Sequence, residues 1–475
     1  MRHKRILASS FFVLAAMLGA APLWAQFNPE RAYQQSAAVT RHYPDPAVRF
    51  DTPAFAPGKA DFTSHQEMMD FIYGLQKTST NLQVRIIGAS QEGRAHYFTR
   101  TPAHGIDVNR DHFKMDLPET VALHRAINEF QPEVFVDAHE FSVATRWLEK
   151  FGKVLAYDLT LLYATNPNVQ SALTALADGV YRRNIVRDVE GAGYSHFWYF
   201  TTSYNPADKK VAMGGTSPDI GRNTAGLQNA ISFLIETRGV GIGRASYARR
   251  VHAHYVAITG LLNTTADNAS QVMNTVRAAR VAAARPAAAP GPDIVVTSKN
   301  PLVAQKLAMR DPQSGDLSQV EVEWDDSLGA IPELVRKRPF AYVMPPAYAD
   351  VARRLAYSGV EVRRLHEPLT LEVETYQVTD KRVGTVYYEG HIRNNVTTEV
   401  ERKAVAFAAG SYVYPMAQPT ANVIAAALEP ESPSSFVTFG IISVDRKGVG
   451  GAASEAPIYR LMQPVALDAR LPARD

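Results

Sequence analysis

The chain has 475 residues, which is enough for two or three domains with a sizeable core. Its hydrophobic fraction of 46% is ordinary for a globular protein, while its net charge of +3 and the lack of a basic block beyond the first five residues argue against a nucleic-acid partner. The absence of cysteine excludes disulfides, thiolate nucleophiles and thiolate metal ligands.

The N-terminus has the pattern of a secretory signal peptide. Arg2, Lys4 and Arg5 form a positive head, residues 6–21 are apolar, and Ala25 offers a small residue at a cleavage site. An uncleaved membrane anchor is the alternative, but the apolar stretch is short for a membrane span. We therefore expect a periplasmic or secreted protein with no membrane partner after cleavage.

In chain order, hydrophobic periodicity predicts helices that alternate with short apolar strands. Ser64 and Glu67 have the spacing of a capping box at a helix start, and Pro118 suits the first turn of another helix. The predicted strands are 82–87, 133–138 and 231–235, and further predicted helices are 118–130, 168–184 and 245–262. This alternation favours an α/β fold with a sheet covered by helices on both faces.

The composition of residues 281–293, which are rich in alanine and proline, predicts a linker. The expected organisation is a signal peptide at 1–25, a first domain at 26–280, this linker, and a second domain at 294–475. Within the second domain, residues 340–365 predict a strand, a helix and a strand, and short β-type runs follow. We expect a mixed, β-rich domain there without a catalytic constellation.

Two polar residues end predicted apolar strands. His139 follows Val134–Ala138, and Glu236 follows Phe233–Ile235. In open α/β sheets, sites lie at the carboxyl ends of strands, where an imidazole can hold zinc and a carboxylate can act as general base. Taken alone, each residue is more often a structural hydrogen-bonding group or an ordinary solvent-facing carboxylate.

A third element is the sequence Asp107-Val108-Asn109-Arg110. An arginine fork beside an amide is suited to holding a carboxylate, because the guanidinium can bind both carboxylate oxygens at once. The alternative is a surface loop with an ordinary ion pair.

Taken together and in order, these motifs resemble the carboxypeptidase A type of zinc metallopeptidase. The similarity covers residues 60–265 and rests on Ile87–Arg94, Gly105–Arg110, Asp137–His139 and Phe233–Glu236. It implies a carboxypeptidase-like mixed sheet, zinc as cofactor, and a peptide or protein C-terminus as substrate. By the same resemblance, Asn109 and Arg110 would bind the terminal carboxylate, His139 would be one zinc ligand, and Glu236 would be the general base.

The chain departs from that family at the segment that should carry two further zinc ligands. The family places a His-x-x-Glu pair between the Glu-Gly-Arg turn and the Asn-Arg loop, whereas in this chain only residues 95–106 separate Arg94 from Asp107. None of the 13 histidines has glutamate at the third position after it. His96 and His112 lie near the loop and are the remaining candidates for replacing the pair.

The resemblance therefore implies an exported, bacterial-type metallocarboxypeptidase whose first domain is truncated and whose activity is impaired. Two alternatives stay open. The first is a non-catalytic protein that binds peptide carboxylates through Asn109 and Arg110 without a metal. The second is a defective deletion product that folds poorly. The family also uses a tyrosine near the scissile bond. Tyr194, Tyr199 and Tyr204 are the candidates for that residue in this chain, and the sequence does not rank them.

Overall fold

The computed structural model describes residues 29–91, 101, 105–285, 292–446 and 454–470. The predicted signal peptide, residues 92–100 with Arg94 and His96, and most of the predicted linker lie outside the described residues. No described helix is long and apolar enough to cross a membrane.

Helices and strands of the described residues alternate in the first half of the chain, and strands predominate in the second half. The α-helices are α1 Ala37–Thr40, α2 His65–Thr78, α3 Pro118–Phe130, α4 Arg146–Phe151, α5 Ser171–Leu176, α6 Arg183–Gly191, α7 Gly221–Leu227, α8 Tyr247–Asp267, α9 Ala269–Ala283, α10 Ala349–Tyr357 and α11 Ala421–Leu428. The strands are β1 Val134–Ser142, β2 Val154–Leu155, β3 Leu159–Tyr163, β4 His196–Trp198, β5 Thr201–Thr202, β6 Lys210–Ala212, β7 Ile231–Val240, β8 Ile294–Lys299, β9 Leu302–Arg310, β10 Leu317–Asp325, β11 Ile331–Arg336, β12 Ala341–Met344, β13 Arg363–Leu365, β14 Leu369–Tyr388, β15 His391–Phe407, β16 Tyr412–Pro415, β17 Glu455–Leu461 and β18 Ala469–Arg470.

The sheet that carries the predicted site has four strands in the order β1-β7-β3-β4. β7 is buried along all but its last residue, as expected for an apolar run in the middle of a sheet. β1 runs parallel to β7 and β3 runs antiparallel to it, so the sheet is mixed. Among the described residues, β1 is an edge strand.

The capping box and the proline-started helix are confirmed at α2 and α3. The strand predicted at 82–87 is wrong, since these residues form no strand. Ile86 is 77% exposed, because the alternating apolar pattern meets no neighbouring strand in the described part of the chain. The helix predicted at 168–184 continues further, through a π-helical turn at Ala177–Arg182 into α6.

A second sheet joins segments from both sides of the predicted linker. Its order is β2-β9-β10-β6-β5, with β10 parallel to β6 and β9 antiparallel to β2. Its buried side chains form one apolar cluster that includes Trp147 and Val211 before the linker, and Leu307 and Trp324 after it. Moreover, α9 extends to Ala283, inside the segment predicted to be a linker.

The remaining chain is β-rich, as expected. β11 pairs with β8, and a seven-stranded sheet has the order β15-β14-β17-β12-β16-β13-β18. All of its pairings are antiparallel. The long β14–β15 hairpin extends from this sheet to residues 105–116 of the first half, which places its tip beside the predicted site.

Candidate active site at the edge of the mixed sheet

His139 and Glu236 are neighbours across two parallel strands. Residue 139 of β1 pairs in register with residue 236 of β7, so their Cα atoms are separated by about one strand spacing, or ~4.8 Å. Residues in register on adjacent strands project from the same face of a sheet. The structure therefore brings together the two residues that the sequence singled out separately. Neither ends its strand as predicted, because β1 continues to Ser142 and β7 to Val240.

Asn109 connects this strand to a helix terminus. Its Nδ2 donates to Asp137 Oδ2 at 2.6 Å and lies 3.1 Å from His139 Nε2, while its Oδ1 accepts from the Gly221 amide at 2.8 Å. A Cβ at Gly221 would stand only 2.8 Å from Asn109 Oδ1, so this close approach requires glycine. The amide side chain is thus held in one orientation between β1 and the start of α7.

The imidazole of His139 is engaged through Nε2. This atom lies 2.5 Å from Asp137 Oδ1, an arrangement in which a protonated Nε2 donates to the carboxylate and the lone pair of the neutral ring stays on Nδ1. Burial raises the pKa of Asp137, but its hydrogen bonds with His139 and Asn109 outweigh burial and the pKa is lowered. Asp137 therefore stays ionised and orients the ring.

Arg110 lies deeper than the resemblance implies. It is part of the 3₁₀ turn Val108–Arg110 and donates to the carbonyl of Asn109 at 2.7 Å. Burial lowers its pKa, but the negative fields of Asp219 and Asp107, with Tyr388 and Tyr199 nearby, outweigh burial and raise it. Its charge is therefore partly compensated by the protein itself.

An open cleft of about 740 Å³ adjoins these residues. Its polar wall includes Asn109, His112, Asp137 and His139, and its apolar wall includes Phe62, Phe135, Tyr247 and Val251. Arg110 and Glu236 do not line it, and Glu236 is only 7% exposed. Of the four predicted site residues, two therefore face the cleft and two lie behind it.

The described residues do not fit a zinc ion. They contain no group of three or more His, Asp or Glu side chains arranged to hold a metal. His112, one of the two candidates for replacing a ligand, lines the cleft but has its Nδ1 3.0 Å from His124 Nε2 in a buried pair. His96, the other candidate, lies outside the described residues.

The three tyrosine candidates lie in different places. Tyr199 is close enough to Arg110 and Arg222 to influence the pKa of both. Tyr194 is buried with its hydroxyl 2.5 Å from His252, and Tyr204 is 81% exposed beside Arg146. Tyr199 alone among the three thus adjoins the predicted site residues.

Sequence reasoning missed Asp219, Gly221 and Glu389. Asp219 is fully buried and receives the hydroxyl of Ser217 at 2.6 Å, and Glu389 accepts from the Asp107 amide at 2.6 Å. Because these residues lie more than 100 positions from Asn109 in the chain, no local pattern could have linked them to it.

Several proteins that are similar to this chain are named as carboxypeptidases. The chain is 31% identical over 368 residues to carboxypeptidase 2 of Trichophyton rubrum and 30% identical over the same length to carboxypeptidase 2 of Trichophyton equinum. Each alignment covers 77% of this chain and 66% of the relative, so the chain spans just under two thirds of these relatives. A protein named probable carboxypeptidase 2 from Arthroderma benhamiae is 30% identical over 336 residues, covering 70% of this chain and 63% of the relative.

No family model matches the sequence, and no solved structure matches the fold. These three relatives come from fungi, so they do not support the bacterial origin that the sequence resemblance implies. The names of these relatives nevertheless agree with the motifs of this chain in indicating a carboxypeptidase. Together, the ordered motifs and the named relatives support a carboxypeptidase family for this chain.

Proposed function

We propose that this protein recognises the C-termini of peptides or proteins as a carboxypeptidase-type protein with impaired hydrolysis. The single observation that carries the proposal is the bridge that Asn109 makes between Asp137 and the Gly221 amide, next to His139 and beside an open cleft. It leaves the substrate-orienting part of the site assembled. Zinc as the family's cofactor and a bacterial, exported origin belong to the same proposal, which expects this chain to retain little zinc.

Recognition would rest on Asn109 and Arg110. Arg110 supplies a permanent positive charge behind the cleft wall, and Asn109 presents a fixed amide at its surface. A peptide carboxylate entering from the cleft would meet Asn109 first and would compete with Asp219 and Asp107 for the field of Arg110. We therefore expect weak rather than tight binding.

Hydrolysis would need a metal or another activator for the attacking water. By resemblance, His139 is one zinc ligand and Glu236 the general base, and zinc when bound would supply Lewis-acid chemistry. One imidazole cannot hold that ion, because a zinc site needs three or four ligands in fixed positions. In this chain Glu236 is positioned opposite His139, but it does not border the cleft that a substrate would enter.

Zinc content and binding of matched peptides test the proposal together. Purified protein dialysed against buffer should contain well under one zinc per chain. It should bind N-acetyl tripeptides as free acids more tightly than as C-terminal amides, with the difference abolished by Arg110→Ala. The exposed Arg382→Ala serves as the matched control.

Stoichiometric, tightly held zinc together with release of the C-terminal residue would instead establish an active metallocarboxypeptidase. In that case His96 or His112 would have filled the gap, and His139→Ala should release the ion. Equal affinity for acids and amides would refute the recognition of carboxylates. A periplasmic or secreted location is also proposed, and it rests on the sequence of residues 1–25 alone.

A further inference from the structure

The tip of the β14–β15 hairpin lies on the loop that carries Asn109 and Arg110. Tyr388 pairs with His391, leaving Glu389 and Gly390 as a two-residue turn. Glu389 Oε2 accepts a hydrogen bond from the backbone amide of Asp107 at 2.6 Å, although the two residues are 282 positions apart. A residue of the β-rich half thereby reaches the backbone of the candidate carboxylate-binding loop.

Two further contacts of the tip fix where it lies. His391 Nε2 is 2.8 Å from Asp116 Oδ2, and Asp116 also receives Arg354 at 2.7 Å. The hydroxyl of Tyr388 donates to Asp219 at 3.4 Å, and burial beside Asp219 raises the pKa of Tyr388 to about 12, which keeps this hydroxyl protonated. The tip is therefore held on both sides of Glu389.

The backbone of the turn is also specialised. Glu389 has φ 47° and Gly390 has φ 88°, the pair of positive values that a type I′ hairpin turn requires. Asn, Asp or Gly usually occupies the first of these positions, so a glutamate there is held by its surroundings. A Cβ at Gly390 would stand 2.9 Å from Ile106 Cδ1, so the tip approaches the loop as closely as glycine permits.

Asp107 in turn organises the residues proposed to bind substrate. Its Oδ1 accepts from the Asn109 amide at 2.9 Å, and its carbonyl accepts from the Arg110 amide at 2.9 Å. The Asp107 side chain caps the 3₁₀ turn Val108–Arg110. A shift of the Asp107 peptide group would therefore displace both Asn109 and Arg110.

We propose that Glu389 is a positioning residue for carboxylate recognition, which makes the β14–β15 hairpin a working part of the candidate site. This inference rests on the proposed function, because it assigns a task to the loop that would bind the peptide carboxylate. Glu389 acts through the Asp107 amide and does not itself touch the peptide. Its part in binding is to supply an acceptor oxygen to the Asp107 amide, and a carboxylate or a carboxamide oxygen can fill that part.

The test uses the full chain with Glu389→Ala, Glu389→Gln and the control Glu399→Ala, which changes an exposed glutamate of β15. N-acetyl tripeptides ending in phenylalanine, lysine or glutamate are titrated as free acids and as amides. Glu389→Ala should weaken binding of the acids by about tenfold and leave the amides unchanged, since a lost hydrogen bond to a charged acceptor has an effect of this order. Glu389→Gln keeps an acceptor oxygen and should restore the affinity, and Glu399→Ala should bind as the unchanged protein does.

A general loss of folding would weaken acids and amides alike and would not be restored by glutamine, and that result would overturn the proposal. The proposal would also be overturned if Glu389→Ala bound the free acids as tightly as the unchanged protein while Arg110→Ala had lost the preference for acids. That outcome would leave the proposed function intact. If the unchanged protein shows no preference for acids, the proposed function fails. Amide hydrogen exchange of residues 105–111 then decides whether Glu389 holds the loop, with faster exchange in Glu389→Ala expected and unchanged exchange refuting it.

Discussion

His112 in the polar wall of the cleft is paired with the buried His124. His112 is 6% exposed and His124 is not exposed, and their rings share a hydrogen bond of 3.0 Å. Burial lowers the pKa of His112 to about 4 despite the nearby Asp137, and burial together with the charge of His112 lowers the pKa of His124 further. Both rings are therefore neutral at neutral pH, when one must donate and the other accept.

This pair should make stability depend on pH below neutrality. The folded pKa of His112 lies below the unfolded value of about 6.5, so between these values the unfolded chain binds a proton that the folded chain does not. The free energy of unfolding should consequently fall as pH drops, by about 2 kcal/mol at pH 5 relative to pH 7.5 for His112 alone. Urea unfolding of the unchanged protein and of His112→Asn at both pH values measures the effect.

His112→Asn should lose that part of the pH dependence, because asparagine can keep one hydrogen bond without titrating. The exposed His366→Asn is the matched control and should behave as the unchanged protein does. An undiminished pH dependence in His112→Asn would show that this ring is not the group that titrates.

Only some residues of the candidate site could be predicted from the sequence. His139 and Glu236 could be picked out because each ends an apolar run, and strand register then makes them neighbours. The hydrogen bonds that Asp137 makes with His139 and Asn109 could not be foreseen, since the second depends on how a loop about 30 residues earlier returns to the strand. The burial of Arg110 beside Asp219 is likewise a product of tertiary packing.

At the scale of elements, the segment from residue 44 to residue 91 has no buried side chain. It contains α2, whose capping box is complete, yet Met68 and Leu75 on this helix are 41% and 43% exposed. The strand predicted at 82–87 fails in the same segment. Local signals in this part of the chain predict helix caps correctly, whereas strand formation also requires a partner that the described residues do not supply.

The capping box should therefore stabilise α2 itself without changing the free energy of unfolding of the whole protein. Ser64→Ala removes the side chain that accepts the Glu67 amide and should destabilise α2 by about 1 kcal/mol. Amide hydrogen exchange within 65–78 should become faster by about fivefold, while the free energy of global unfolding stays unchanged because α2 buries no side chain. Lys77→Ala, on the exposed last turn, is the control.

An equal loss of global stability in Ser64→Ala would mean that α2 is an integral part of the core. It would also argue against the proposal that the first domain lacks a covering segment.

At the scale of the whole molecule, the predicted linker does not separate two independent cores. Strands β9 and β10 follow it but pair with β2 and β6, which precede it. The buried side chains Leu307, Met309 and Trp324 pack with Trp147, Phe200 and Val211 of the first half. Composition predicts a linker here, but it could not reveal that strands beyond this segment pair with strands before it.

Residues 292–475 alone should consequently fold poorly. Without β2 and β6, the β9–β10 hairpin would expose side chains that are 0–3% exposed in the whole protein, such as Leu307 and Trp324. We expect this fragment to bind a hydrophobic dye or to aggregate, and co-expression with residues 26–285 to restore a soluble complex. Size-exclusion chromatography of a chain nicked within 286–291 should show both halves eluting together. A monomeric, dye-free fragment 292–475 would contradict this expectation.

The pairing of β6 with β10 also has a consequence for synthesis. β6 ends at Ala212 and its partner β10 ends at Asp325, so 325 − 212 = 113 residues must still be made before that part of the sheet is complete. At the usual pace of translation, about 5–20 residues per second, the wait lasts about 6–23 s. Throughout it, Val211 and Trp147 lack their partners on the ribosome-bound chain. We therefore expect the nascent first half to expose apolar surface during this time, so a pause in translation before codon 325 should increase its degradation, whereas a pause after that codon should not.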